Sequence, residues 1–373
     1  MTNRILITGG AGFIGSHTAD RLLREGYTVR ILDSLDPKIH PDGIPDYLSP
    51  EFELIVGDVR DRDVLRRALQ DVSGVIHLAA YQDYLPDLST FFSTNVVSTA
   101  LIYELIVAEK LPVEKVVIAS SQFVQGEGLY KDSSGRVVSP PFRTREQLGR
   151  GEWEHRDERG EVMEWIPTPP THTAPPNAYA LSKCSQEQQG IVFGERYNIP
   201  TAVMRYSIVQ GSRQSFHNAY SGACRIFSLS YHFGEAPTIY EDGEQVRDFV
   251  NIHDVVDANV RVLQSESANS KVFAVGGGRA CSIREFDRIV ARQFGREDLQ
   301  PNIPGEFRYG DTRHAVSDIS QLMELGWEPK HSIEDSVAEY ANYLREMEGL
   351  KNVIGRAREK MKGLNVIGSS SQQ

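Results

Sequence analysis

The sequence predicts an α/β protein: a doubly wound parallel sheet of the Rossmann type with a smaller C-terminal substrate lobe. Three observations carry this. Short apolar runs rich in Val and Ile alternate with amphipathic stretches of helical period. A glycine turn, Thr8-Gly9-Gly10-Ala11-Gly12-Phe13-Ile14-Gly15, joins the first apolar run to the first helical stretch. Asp33 ends the second apolar run.

The glycine turn follows Ile5-Leu6-Ile7, so strand, turn and helix come in the order a dinucleotide pyrophosphate needs. Gly9 permits the tight turn, Gly12 lets the backbone approach the phosphates, and Gly15 lets helix and strand pack closely. Phe13 and Ile14 join them as candidate cofactor contacts. Further along, strands are expected at residues 4–8, 28–32, 52–56, 75–78, 115–120, 201–205 and 272–275. Helices are expected at residues 15–25, 62–69, 95–109 and 179–197. Residues 1–206 thus read as the cofactor domain, with strands returning within 244–275. Residues 207–243 and 276–350 read as the substrate lobe. Residues 127–176 are polar and proline-rich, too long for a simple connection, and form an inserted loop or small lobe. Residues 351–373 read as a mobile tail, with two copies of Asn-Val-Ile-Gly at 352–355 and 365–368.

Composition narrows the function. A formal charge of −11 argues against nonspecific nucleic-acid binding. No apolar run reads as long enough to span a bilayer, and the first strand begins too early to leave room for a secretory signal. A soluble cytoplasmic protein is expected. Cys184, Cys224 and Cys281 are widely spaced and read as small core side chains.

The chemistry-bearing residues follow. Asp33 can accept hydrogen bonds from both ribose hydroxyls and would repel the extra phosphate of NADP, which points to NAD; the alternative is an aspartate serving a turn. Asp58 and Val59 follow the third strand, where Asp58 can face the adenine. Leu78, Ala79 and Ala80 end the fourth strand, and small residues there allow close approach of a cofactor. Tyr179 and Lys183 stand four apart, on one helix face. An ammonium beside a phenol favours the phenolate, which makes a base for a sugar hydroxyl.

These motifs, from residue 8 to about 313, resemble the extended short-chain dehydrogenase/reductases, and among them the nucleotide-sugar epimerases and dehydratases. The carrying residues are the glycine turn, Asp33, Gly57-Asp58, His77-Leu78-Ala79-Ala80, Asn95, Ser120-Ser121, Tyr179 with Lys183, Arg247-Asp248-Phe249-Val250 and Arg308-Tyr309-Gly310-Asp311. The resemblance implies a catalytic Ser121, Tyr179 and Lys183, and makes Asn95 and Tyr206 cofactor contacts. It makes Gln82, Ser121, Gln122, Tyr179, Asn218, Arg247 and Arg308 substrate contacts, the arginines on a diphosphate. Tyr81 and Tyr84 flank Gln82 beside the expected sugar pocket. Relatives that eliminate water carry Asp and Glu at positions 122 and 123; decarboxylating ones carry Glu at the second, and those using a carbanion carry Cys there. Gln122 and Phe123 can do none of this. The resemblance therefore implies an NAD-dependent epimerase acting on a nucleoside-diphosphate sugar, inverting C4 through a transient 4-keto sugar. A 2-epimerase, a 4-ketoreductase and a non-catalytic nicotinamide-binding protein are the alternatives. Where many hexose 4-epimerases read Arg-Tyr-Phe-Asn, this chain reads Arg205-Tyr206-Ser207-Ile208, which removes one substrate contact.

The insertion resembles that of dTDP-L-rhamnose 4-epimerase-like proteins. It lacks the cysteine pairs some relatives carry, so no metal is expected, and His155 and His172 are isolated. It could cover the sugar pocket or extend a subunit contact. The resemblance also implies a homodimer through helices near 95–110 and 180–197.

Overall fold

The computed structural model describes residues 3–83, 85–215, 222–347, 350, 352, 354–364 and 366–370. The first strand, β1 (Arg4–Thr8), passes through the glycine turn into α1 (Phe13–Arg24). The chain continues through β2 (Thr28–Asp33), β3 (Glu53–Val56), α2 (Arg62–Leu69) and β4 (Gly74–His77). Next come α3 (Leu88–Phe91), a π-helical stretch Phe92–Val97, α4 (Ser98–Glu109) and β5 (Lys115–Ser121). The insertion holds β6 (Leu129–Lys131), β7 (Val137–Val138), α5 (Arg145–Gly149) and β8 (Glu164–Ile166). It is followed by α6 (Ala178–Tyr197), β9 (Thr201–Tyr206), β10 (Ile208–Gln210), α7 (Ala223–His232), β11 (Val246–Asn251), α8 (Ile252–Gln264) and β12 (Lys271–Val275). The remainder is β13 (Ala280–Ser282), α9 (Ile283–Phe294), β14 (Glu306–Arg308), α10 (Ser320–Met323), α11 (Ile333–Glu346), α12 (Ile354–Gly363) and β15 (Ile367–Ser369).

The main sheet has seven parallel strands in the order β12-β9-β5-β4-β1-β2-β3. Its central strands are Val/Ile-rich because both faces are covered. Helices α1 and α8 lie on one face over Ile5, Ile7, Ile31 and Val117, and α2, α4 and α6 on the other over Leu6, Val75, Val116 and Ile118. The strand order reverses between β1 and β4, and ligands of such sheets bind at the carboxyl ends beside that reversal. A second core, built on Phe227, Phe249, Phe286, Val337 and Tyr340, holds α7, α9 and α11 together as the smaller lobe.

The structure adds detail to three expectations. The helix read at 95–109 begins earlier, as one helical stretch from Leu88 to Glu109. That stretch is long and apolar enough by length and mean hydropathy, 1.5, to cross a membrane; here its buried side instead packs beside α2 and α6. The insertion holds a three-stranded antiparallel sheet, β7-β6-β8, and of its residues Pro176 lines the cavity. The tail is built: α12 packs on α7, and β15 pairs antiparallel with β14.

Buried charge braces the insertion to the smaller lobe. The guanidinium of Arg143 binds both carboxylate oxygens of Glu241, at 2.9 and 3.0 Å, and donates to the Asp311 carbonyl. Arg313 is fully buried and pairs with Glu154, Glu241 and Asp242. Its backbone amide donates to Glu127 at 2.8 Å. His155 Nε2 lies 3.3 Å from Glu127. Each guanidinium is multiply bonded, which offsets desolvation and fixes geometry more than it adds net stability.

A buried histidine ties the first and fourth strands to α4. Ser98 Oγ donates to the Thr94 carbonyl and accepts from His77 Nε2 at 3.2 Å. Thr8 Oγ1 accepts from the Ala79 amide and donates to His77 Nδ1 at 2.7 Å. Only a neutral imidazole satisfies this chain of bonds, and burial pushes the His77 pKa down to about 3, with Lys183 adding to the effect. His77 is therefore expected to stay neutral at pH 5 in a ¹⁵N-resolved NMR titration. An unfolded chain binds that proton near pH 6.5, so His77 withdraws about 1.4 kcal/mol of stability per pH unit as pH falls below 6.5. A His77 resonance that titrates near 6.5 would contradict this bonding scheme.

Candidate active site

The carboxyl ends of β1, β4, β5 and β9 open into a cavity of about 1490 Å³ that runs beneath the smaller lobe. The glycine turn forms its floor at one end. Gly9 has φ +69°, and a Cβ there would lie 2.8 Å from the Ala79 amide nitrogen. A Cβ at Gly15 would lie 2.2 Å from the Gly9 carbonyl oxygen. The turn thus needs glycine at both positions. Gly12 caps α1 without a side-chain bond, and no acidic residue sits in the first turn. Gly12, Phe13 and Ile14 line the cavity, so the helix N-terminus is positioned for an anion.

Asp33 is bound into the same turn. Its Oδ2 accepts from the Ala11 amide at 3.0 Å and its Oδ1 from the Leu35 amide at 2.9 Å. Each oxygen keeps further lone pairs for a diol. These turns and the Asp33 carboxylate fit a dinucleotide. Asp58 instead spends its carboxylate on Arg60, at 2.5–3.0 Å, and that guanidinium holds its pKa below the usual range. Val59 is buried with Leu65 in the core under α2. Leu78 and Ala79 pack against the two faces of the sheet, and Ala80 follows them into the loop.

Asn95 is fully buried within the π-helical stretch. Its amide donates to the Tyr81 carbonyl at 3.1 Å and to Ser182 Oγ at 2.9 Å, while its oxygen accepts from the Tyr81 amide at 2.7 Å. The structure makes it a clamp between the loop carrying Gln82 and helix α6. Gln82 lines the cavity. Tyr206 also lines it, with its hydroxyl donating to Asn259 at 2.6 Å. Tyr84 and Asn218 lie outside the described residues.

Helix α6 delivers the reactive pair. Asn177 caps it by accepting from the Ala180 amide, and the first turn carries Tyr179 into the cavity wall. Tyr179 is hydrogen-bonded to Ser121, at the end of β5. Ser121 Oγ also accepts from the Phe123 amide at 3.3 Å. Lys183 is buried one turn on; its Nζ donates to the Ala119 carbonyl and to Gln186, both at 2.9 Å. The spacing alone suggests an activated phenol. Burial works against that activation: it pushes Tyr179 up to about 12, only partly opposed by Ser121. Burial likewise pushes Lys183 down to about 7, opposed by Glu187. Burial thus works against the charged form of each group, while Lys183 Nζ is held by two acceptors of the protein itself.

Sequence reasoning missed the support beneath them. Glu187 binds Arg205 through two bonds at 2.6 and 2.7 Å and accepts from Ser120. Glu187 is four residues from Lys183, a spacing that could have flagged it. Gln122 reaches Ser317 at 3.5 Å, and Ser317 joins Ser207 and Asp248. Asp248 is buried, which raises its pKa against three hydrogen-bonding groups, Ser207, Gly277 and Ser317.

The two arginines behave differently. Arg247 donates at 2.9 Å to the carbonyls of Val246, Thr312 and Arg313. Burial lowers its pKa, against the pull of Asp311 and Glu241. Arg308 pairs with Asp311 at 2.5 Å and lies over the Tyr240 ring at 5.2 Å. Both line the far end of the cavity.

Residues 5–150 and 157–276 match the NAD dependent epimerase/dehydratase family. Over 356 residues the chain is 35% identical to dTDP-L-rhamnose 4-epimerase of Burkholderia thailandensis, covering 94% of this chain and 97% of that protein. It is 30% identical to UDP-glucose 4-epimerase of Mycolicibacterium smegmatis, covering 92% and 98%. Among solved structures, UDP-glucose 4-epimerase of Thermotoga maritima, with UDP-glucose, superposes with a TM-score of 0.75 at 28% identity, covering 92% of this chain and 99% of that one. The Thermus thermophilus enzyme, in complex with NAD, gives a TM-score of 0.70 at 27% identity with the same coverage. The cavity, its dinucleotide turn and its Ser-Tyr-Lys set are thus those of a member of the NAD-dependent epimerase/dehydratase family.

Proposed function

We propose that this chain inverts C4 of a nucleoside-diphosphate sugar through a transient 4-keto sugar. The observation that carries the reading is the Ser121–Tyr179 hydrogen bond at the carboxyl end of the sheet, beside a turn built for a dinucleotide. Gln122 and Phe123 support it, because neither can protonate or deprotonate a second carbon.

The chain's own residues divide the work. Arg247 and Arg308 hold the diphosphate. Ser121 donates to the reacting oxygen. Tyr179 removes the C4 hydroxyl proton and later returns it. Lys183 orients the nicotinamide ribose and, with its charge, favours the Tyr179 phenolate. NAD, held by the glycine turn and Asp33, would supply a reversible two-electron acceptor for the C4 hydrogen. The reaction is redox-neutral overall, and the cavity leaves the sugar room to turn about its diphosphate. Gln82 and Gln122 contact the sugar. Asp33 and the glycine turn hold the adenosine half, with Asn95 and Tyr206 positioning the wall around it.

The relatives at 35% and 30% identity are named for dTDP-L-rhamnose and UDP-glucose, so both sugars belong in the test. With UDP-, dTDP-, GDP- and CDP-linked hexoses and 6-deoxyhexoses, one substrate should give its C4 epimer by NMR. In D₂O the C4 position should take up no deuterium. Tyr179→Phe should lower kcat by about 10³-fold while leaving NAD bound. Deuterium at C4, or an unchanged rate in the variant, would overturn the mechanism.

The same reading makes the chain a cytoplasmic homodimer. Its three cysteines are unpaired and buried, which fits a reducing compartment. Val97 and Val107 are exposed on the helical stretch ending at Glu109, and Leu181, Val192 and Tyr197 are exposed on the adjacent α6. A second copy would cover them in a four-helix bundle. Sedimentation should show a dimer, and Val107→Glu combined with Val192→Glu should give a folded monomer. A dimer that survives both changes would place the contact elsewhere.

A further inference from the structure

The two Asn-Val-Ile-Gly copies found no role in the sequence, yet both border the substrate end of the cavity. Ile354 and Gly355 of the first copy and Val366 of the second line it. Between them α12 runs along α7, whose Ile226, Phe227 and Ser230 form the facing wall. The chain then enters β15, where Ile367 pairs with Arg308 and Gly368 with Phe307. Two more backbone bonds extend this contact: Tyr309 N to Val366 O at 3.1 Å, and Ser370 N to Gly305 O at 3.0 Å. Gly368 lies flat on the Phe307 ring, where a Cβ would meet Cζ at 2.6 Å. Phe307 in turn packs on Trp153 of the insertion, with ring centroids 6.2 Å apart. Polar ties hold the start and the middle of the strap: Asn352 to Glu235 at 2.8 Å and Lys362 to Glu306 at 3.3 Å.

We infer that residues 352–370 are a strap that walls the nucleoside-diphosphate end of the substrate site and holds Arg308 in place. The inference rests on the proposed substrate class. Strand pairing immobilises the backbone on both sides of Arg308, so the guanidinium is presented from a braced strand instead of a loop. Ile354 and Val366 give the pocket an apolar wall that the smaller lobe's own helices leave open on that side.

The test uses the full, NAD-loaded protein, a chain ending at Leu350, and Gly368→Val, whose side chain cannot share space with Phe307. UDP, dTDP, GDP and CDP are titrated calorimetrically, and NAD affinity is measured in parallel. Both variants should bind the preferred diphosphate roughly tenfold or more weakly, the loss of about one charge-assisted contact, with NAD affinity unchanged. KM for the nucleotide sugar should rise in step. Unchanged diphosphate affinity in both variants overturns the strap, as does a loss of NAD affinity alongside it, which would signal general unfolding. A wild-type protein that binds none of the four diphosphates overturns it too. If the variants weaken diphosphate binding but the wild type epimerises no sugar, the strap stands and the epimerase reading falls. If the wild type epimerises and the variants bind normally, the reverse holds.

Discussion

The burial of Tyr179 and Lys183 governs the rest of this structure. Both side chains are buried at the ends of β5 and β9, and each is driven toward its neutral form. A phenol in that state is a poor base. The same desolvation means that any positive charge brought beside it acts through a low dielectric, where it is worth far more than in water. The protein therefore holds a base that is silent alone and responsive to a cationic nicotinamide.

The surroundings keep that pair in register. Arg205 and Glu187 form a buried ion pair under Lys183, and Glu187 also receives Ser120, next to Ser121. Asn95 locks the loop after β4 to α6. At the other end of the cavity Arg247 hangs from backbone carbonyls at 312 and 313, and that segment is itself anchored by Arg143, Glu127 and the buried Arg313. The insertion thus reaches the substrate site indirectly. Its charge cluster sets the segment that sets the arginine.

Much of this was legible in the sequence, for a physical reason. The glycine turn, Asp33 and the Tyr179/Lys183 spacing are local: a few adjacent residues determine the backbone path or the helix face. Strand positions were legible because a sheet covered on both faces demands continuous apolar runs. What escaped depends on tertiary contact. Asn95 reads as a cofactor residue, but that its amide ties the Tyr81 loop to Ser182 of α6 is a contact only the fold reveals. Asp58 reads as an adenine contact, but Arg60, two residues away, takes its carboxylate. The burial that opposes ionisation of Tyr179 was not legible either, because helical spacing says nothing of desolvation. The tail reads as a mobile end from its polarity; the pairing of Ile367–Ser369 with β14, some sixty residues earlier in the chain, is not written in the local sequence.

The central claim is that Tyr179 becomes a base only when NAD is bound. Ultraviolet difference titration of the wild type against Tyr179→Phe, with NAD stripped and with NAD restored, reads that phenol directly. The account predicts a phenol that stays protonated through the alkaline range in the stripped protein and ionises near neutral pH once NAD returns. One titration curve, the same with and without NAD, would contradict it.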